Sequence, residues 1–336
     1  MPGAPYWSYD PGVSDFSTRP VTRDDASALN DLLAAAETVD HTEEHYSVED
    51  VLEDLENPMI DLERDWLVVE RDGHTVGHCG LVPRAPSDGK VRVAIDGVVH
   101  PDHRRTGIGS HVVPLMVARS HEYARERDLE VVVVGSAPSA NTDLEAVFRA
   151  NGLLPERWQF VMTADLRAEA VGLEATPVPD GYALSTWEGV DQDEMRAAHN
   201  RAFVGHYGFG PWDVDMWQQW VAGSRNYRPE LSLVLRDETG AVAAYIQTNE
   251  YDGVLEATGK RDAFVAKVGT APEQRRRGLA SVLLRIALHR YRQAGFDQSS
   301  LDVDSENPTG ALALYEHAGY RTTTRRTSYR LGSAAG

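Results

Sequence analysis

One cysteine, Cys79, occurs in 336 residues. No intrachain disulfide can form, and a cytoplasmic protein is the simplest reading. A lone thiol of this kind is more often a small core residue than a nucleophile. Long apolar runs are also missing. The hydrophobic residues, 42% of the chain, fall in short stretches, none near the roughly 20 that a membrane span needs. Residues 1–9 have neither a basic start nor an apolar block, so a secretory signal is not expected. Positive charge is scarce: 33 Lys and Arg against 52 Asp and Glu give a net charge of −19. That balance argues against nucleic acid as a partner and would concentrate a cationic small molecule, although surface acids that only confer solubility give the same number. There is no Gly-x-x-x-x-Gly-Lys-Ser/Thr loop, and the histidines show no metal-ligand spacing.

What the chain does have is a basic turn, written twice. Residues 263–268 read as a strand, rich in aromatic and β-branched side chains, and 281–288 carry the apolar spacing of an amphipathic helix. Between them run Val268, Gly269, Thr270, Ala271, Pro272, Glu273, Gln274, Arg275, Arg276, Arg277, Gly278, Leu279 and Ala280. A strand-to-helix turn gathers free N–H groups at the positive end of a helix dipole, which suits a diphosphate. Gly278 lets a ligand approach the backbone, Ala280 keeps the first helical turn small, and the arginines add charge. The second copy is Val99, His100, Pro101, Asp102, His103, Arg104, Arg105, Thr106, Gly107, Ile108 and Gly109, again after a strand-like run and before a helix-like one. Pro101 and Pro272, Arg104 and Arg275, and Gly107 and Gly278 are each 171 residues apart (272 − 101). A repeat in matching context makes accident a poor explanation.

The length suits two domains, and the order of elements restarts midway. The first half reads as a short strand near 18–21, helices over 26–36 and about 48–55, and a hairpin over 66–70 and 75–82. The loop and its helix come next, then a strand at 130–134, a helix at 144–150, and a closing strand at 158–166. Residues 169–181, with Pro177 and Pro179, read as a linker. The second half repeats the order: strand 182–186, helix 192–203, a Trp/Tyr-rich insert over 206–227, and a hairpin over 231–235 and 242–247. The motif strand, loop and helix follow, then strand 299–303 and a last strand near 327–330. The expected fold class is α+β: two tandem domains, 1–168 and 182–336, each a mixed, mostly antiparallel sheet flanked by helices.

Pro-x-x-Arg-Arg-x-Gly-x-Gly/Ala after a strand, followed later by Asn307, Ala311, Leu314, Tyr315, Gly319 and Tyr320 in the order Asn-x-x-x-Ala-x-x-Leu-Tyr-x-x-x-Gly-Tyr, resembles the GNAT superfamily of acetyl-coenzyme A-dependent N-acyltransferases. The resemblance spans nearly the whole chain as two copies. It implies acetyl-CoA as cofactor, gripped by main-chain N–H groups of Arg275, Arg276, Arg277, Gly278, Leu279, Ala280 and Ser281. It also implies that Val268, Gly269 and Thr270 hold the pantetheine arm and the thioester carbonyl, on a strand that splays from its neighbour at a bulge. Asn307 would fix backbone or pantetheine nearby, or cap a helix. In the first copy the corresponding residues are Val98, Val99, Arg104, Arg105, Thr106, Gly107, Ile108, Gly109 and Ser110. Tyr315 stands where the family places the acid that protonates the departing thiolate; a phenol with pKa near 10 is protonated at neutral pH and suits that task.

The first copy departs from the pattern. Phe148 occupies the place of Tyr315 and cannot donate a proton, and Asn141 is one position out of register. That half is expected to be degenerate for transfer while keeping an intact cofactor loop. The base is not fixed by the pattern. Mycothiol synthase-type tandem acetyltransferases have a similar layout and place a glutamate on the strand before the second loop, where this chain has Phe264. Asp262, Glu250, Glu256, Asp302, Asp304 and a water chain are the alternatives. His206, Tyr207, Trp212, Trp217 and Trp220 fall where an acceptor wall would lie, and equally suit a core between two domains. The expectation is an N-acetyltransferase of a small, cationic primary amine, monomeric or homodimeric. Its rivals are a non-catalytic acyl-CoA-binding regulator, a mycothiol synthase-like thiol-metabolism acetyltransferase, and an acyltransferase that takes a peptide or aminoacyl donor.

Overall fold

The structure, a computed structural model, describes residues 15–168, 176–306 and 310–332. The N-terminal leader, part of the expected linker and Asn307 lie outside the described residues. Two compact units emerge: one from the chain up to Arg157 with the stretch from Arg326 on, the other Trp158–Arg325.

In the first unit the elements are β1 (Ser17–Pro20), α1 (Ala26–Asp40), α2 (Val48–Leu55), α3 (Leu62–Asp65), β2 (Trp66–Arg71), β3 (His74–Pro83), β4 (Lys90–Val99), α4 (Ile108–Arg125), β5 (Glu130–Pro138), α5 (Thr142–Ala150) and the start of β6 (Leu153–Asp165). Local chemistry explains several boundaries. Ser47 and Asp50 form a reciprocal capping box at the start of α2. Asp72 and Gly73 both take positive φ (52° and 78°), as a two-residue hairpin turn requires. Strand alternation sends Leu67, Leu81, Val93 and Ile95 against α4. The opposite face, with Trp66 and Val68, meets Leu29 of α1 and Val51 and Leu55 of α2.

The second unit contains β7 (Tyr182–Thr186), α6 (Gln192–Phe203), α7 (Val214–Trp217), β8 (Leu233–Asp237), β9 (Val242–Asn249), α8 (Asp252–Thr258), β10 (Asp262–Thr270), α9 (Leu279–Gln293), β11 (Gln298–Asp304), α10 (Ala311–Ala318) and the first part of β12 (Arg321–Leu331). Residues 218–222 continue α7 as a π-turn. Leu233, Leu235 and Ile246 pack against Leu283, Leu284 and Ala287 of α9. Val234 and Tyr245, pointing the other way, join Trp187, Met195, Trp217 and Val221.

Each unit has a central parallel pair, β4–β5 in the first and β10–β11 in the second, flanked by antiparallel pairs such as β3–β4 and β9–β10. The end strands correct the expected boundaries. Residues 159–165 of β6, read from sequence as the closing strand of the first half, pair with β11 in the second unit. The last strand pairs through Arg326–Arg330 with β5 of the first unit. Each half thus completes the other's sheet, so the compact units are not the continuous segments 1–168 and 182–336.

Candidate active site

The strand–turn–helix has the same backbone in both units. After β10, Pro272–Gln274 form a short 3₁₀ turn and Arg275 returns to extended geometry (φ −65°, ψ 159°). After β4, Pro101–His103 do the same, with Arg104 at φ −66° and ψ 157°. Arg276 and Arg105 both sit in the left-handed region at φ 62°, and Gly278 (φ 77°) and Gly107 (φ 92°) supply the next positive φ. These two glycines are the N-caps of α9 and α4. The first intrahelical bond of α9 runs from Val282 N–H to the Gly278 carbonyl (3.1 Å), and of α4 from His111 N–H to Gly107 (3.0 Å). The N–H groups of Leu279, Ala280 and Ser281, and of Ile108, Gly109 and Ser110, therefore precede the helical ladder. A Cβ at Gly278 or Gly107 would meet nothing within 4 Å, so the space over each turn is open. Donors facing open space at a helix start fit a diphosphate.

Beside each turn the parallel strands part. Pairing of β10 with β11 stops at Phe264–Ser300, and the register of β10 against β9 slips between Val265 and Lys267, which is the expected bulge. Val268, Gly269 and Thr270 lie beyond that point, paired to β9. In the first unit β4 and β5 stay paired to Ile95–Gly135, two residues nearer the turn (101 − 95 against 272 − 264), and then β4 continues to Val98 and Val99 beside β3.

The first arginine of each turn folds back instead of facing the open space. Both terminal nitrogens of Arg104 bind Asp40 at 2.7 Å, its Nε donates to the Val99 carbonyl at 3.1 Å, and Asn141 Nδ2 also donates to Asp40 at 3.1 Å. Asn141 also caps α5, accepting from Leu144 N–H. Arg275 donates to the Ala202 carbonyl near the end of α6 (2.8 Å). These side chains brace the end of a helix against the turn; the residues carrying exposed positive charge there are Arg105, Arg276 and Arg277. Thr106 closes its own turn through the His103 carbonyl (2.7 Å).

Tyr315 on α10 is 8% exposed and shares a core with Leu279, Val303 and Val268. Burial pushes its phenol up to about 12, so the hydroxyl keeps its proton at neutral pH. Phe148 is buried in the first unit against Tyr329 (ring centroids 5.3 Å). A Cβ on Gly135 would lie 2.6 Å from its Cζ, so that ring rests on the backbone where β4 and β5 separate.

The base alternatives spread apart. Asp262 opens β10, at the far end from the turn, and accepts from Ser300. Glu250 is held by Arg228 (3.2 Å) and Arg261 (2.8 Å), and Glu256 is exposed on α8. Asp302 and Asp304 follow the parting point on β11. Asp304 acts electrically on His206, whose pKa is lowered by burial and by Arg275 and raised by Asp304. The Trp/Tyr insert contributes to the core of the second unit: Trp212, Trp217 and Trp220 pack with Trp187, Val221 and Tyr245, while Tyr207 is exposed. At its centre His199, missed in the sequence reading, binds the Tyr245 hydroxyl at 2.7 Å.

A cavity of about 290 Å³ lies in the first unit, reaching from the turn at Arg104 and Gly109 past Val98 to α1 and α2. Among its wall residues are Asp54, His78 and Asp96, which the sequence reading did not single out. The one signal available was positional: Asp96 precedes Val98 on the motif strand, and Lys267 stands 171 residues on (267 − 96).

Two strand–turn–helix turns beside two parted parallel strands define a tandem acyltransferase fold. The chain belongs to the acetyltransferase (GNAT) family, whose profile matches residues 27–153 and 192–320, and it is an acetyl-CoA-dependent acyltransferase. It is 30% identical over 270 residues to the mycothiol acetyltransferase of Clavibacter michiganensis subsp. michiganensis, covering 79% of each chain. A GCN5-related N-acetyltransferase from Sphaerobacter thermophilus superposes with a TM-score of 0.70 at 26% identity, over 94% of this chain and 95% of the other. A tandem GNAT protein from the clavulanic acid biosynthesis pathway shares the fold (TM-score 0.67, 20% identity, 95% and 99% coverage).

Proposed function

We propose that the second unit transfers an acetyl group to the amine of a small acceptor. The observation that carries this reading is a buried, protonated Tyr315 sharing a core with the strand end and helix start of an open anion seat. Acetyl-CoA, when bound, supplies the acyl group as a thioester. The N–H groups of Leu279, Ala280 and Ser281, with Gly278 and the charges of Arg276 and Arg277, would hold its diphosphate. Backbone groups of Val268, Gly269 and Thr270 would line up its arm and polarise the carbonyl. Tyr315 Oη holds the proton given to the leaving sulfur. We place proton removal from the amine near the end of β11, where the charge of Asp304 acts on His206. The first unit, with Phe148 in place of the acid, would serve as a cofactor-binding or structural partner.

A second reading, acetylation of a mycothiol precursor, is favoured by the relatives' name; Phe264 in the place of that group's glutamate counts against it. The deciding measurement is thiol release from acetyl-CoA over a panel of primary amines that includes desacetyl-mycothiol. Release with desacetyl-mycothiol alone would select the second reading. No release from any amine, by protein shown to bind coenzyme A, would sink both in favour of a non-catalytic acyl-CoA-binding protein.

A further inference from the structure

We propose that the cavity of the first unit is a binding site for a small aliphatic amine in its cationic form, seated between Asp54 and Asp96 with the ring of His78 in its wall. The alternation of β4 that sends Val93 and Ile95 to α4 sends Asp96 to the opposite face. There α2, anchored by Val51 and Leu55, carries Asp54. Both carboxylates line the cavity, and neither has an ion-pair partner within 4.0 Å among the described residues.

His78, on β3, is 6% exposed and lines the same space. Its Nδ1 is buried with no hydrogen bond from any described residue. A buried imidazole nitrogen without a partner is costly in a core; here it lies beside the half-buried Asp54 and the solvent-exposed Asp96, an arrangement useful for a site that opens to a ligand. Leu29, Leu33 and Trp66 supply apolar walls, which suit an alkyl chain and a ring face for a cation.

The electrostatics agree. Burial first, and then the charges of Asp96, Glu53 and Asp50, raise the Asp54 carboxyl to about 7; a bound cation would relieve that repulsion. Arg84, exposed just after β3, acts on Asp96 from beyond ion-pair reach. The cofactor's arm could share the cavity, but its amide and thioester groups carry no cation to offset two carboxylates. In the second unit the place of Asp96 is taken by Lys267, which donates to the Ala266 carbonyl and lies 5.6 Å from the Trp212 ring. The cation seat therefore belongs to the first unit, independently of where acetyl transfer occurs.

The test is calorimetric titration of the full chain, without acetyl-CoA, with n-butylamine and with n-butanol as the uncharged control. Amine binding that exceeds alcohol binding, falls at least about tenfold in Asp54→Asn and in Asp96→Asn (roughly 1.4 kcal/mol), and persists in Asp102→Asn and in Tyr315→Phe is the expected result. Equal binding of amine and alcohol, or amine binding that survives in both Asp54→Asn and Asp96→Asn, overturns the proposal. Should either variant fail to fold, the wild-type urea midpoint decides: a shift with butylamine beyond that with butanol supports the seat, and equal shifts overturn it. Loss of acetyl transfer with amine binding intact would count against the reading of the second unit alone.

Discussion

Replacing Tyr315 by Phe isolates one oxygen. The ring stays, and because it is 8% exposed in a core that includes Leu279 and Tyr320, no cavity opens and stability should change by no more than about 1 kcal/mol. The effect on turnover should be far larger. General-acid assistance is worth about 100- to 10,000-fold, so kcat for the best amine should fall by that factor, or roughly 3–5 kcal/mol of barrier, with acetyl-CoA affinity unchanged. The assay is steady-state thiol release with saturating amine, beside a coenzyme A titration and a single-turnover measurement showing that chemistry limits the rate. The phenol offers a second readout. Its folded pKa of about 12 lies above the unfolded value near 10, so the unfolded chain ionises first. The share of stability due to the neutral phenol is present below pH 10 and lost as pH rises to about 12, amounting to about 3 kcal/mol. Tyr315→Phe should make the urea midpoint fall less steeply across that window. A variant turning over within about twofold of the parent, with chemistry rate-limiting, would refute the acid role.

Gly278→Glu should fold, since its Cβ meets nothing within 4 Å, at a cost of roughly 1 kcal/mol for positive φ. It should abolish coenzyme A binding at the second unit by setting a carboxylate over the helix N-terminus; undiminished affinity there would remove the turn from the site. Asp40→Asn breaks a buried bidentate pair with Arg104 and should lower unfolding stability by about 3–5 kcal/mol; a loss under 1 kcal/mol in urea titration would show that the brace is not structural. His199 is held down to about 3, chiefly by burial and then by Lys267 and His206. Its folded pKa lies below the unfolded 6.5, so stability should fall with acid between pH 6.5 and about 3, by on the order of 4 kcal/mol. His199→Gln should flatten that limb of the stability–pH curve, and an unchanged slope would contradict it.

The sequence by itself determined what depends on neighbours along the chain. Helix 192–203, strand 182–186 and helix 48–55 have the bounds read from the sequence. The two strand–turn–helix paths were legible because Pro, Arg and Gly at fixed spacing dictate a backbone: Arg105 and Arg276, then Gly107 and Gly278, repeat the same left-handed steps. What only the tertiary structure decided is set by partners far away in sequence. Strand β12 reads alike beside either sheet, because strand pairing uses backbone groups that every residue has; its last residues pair with β5, nearly two hundred positions back. Arg104 was legible as a charge near a phosphate site but not as the partner of Asp40, since a guanidinium on a turn can face solvent or a neighbouring helix with equal propensity. The carboxylates of Asp54 and Asp96 come from a helix and a strand more than forty residues apart. Neither carries a local sign of the other, and only the tertiary placement of α2 and β4 around one cavity brings their charges together.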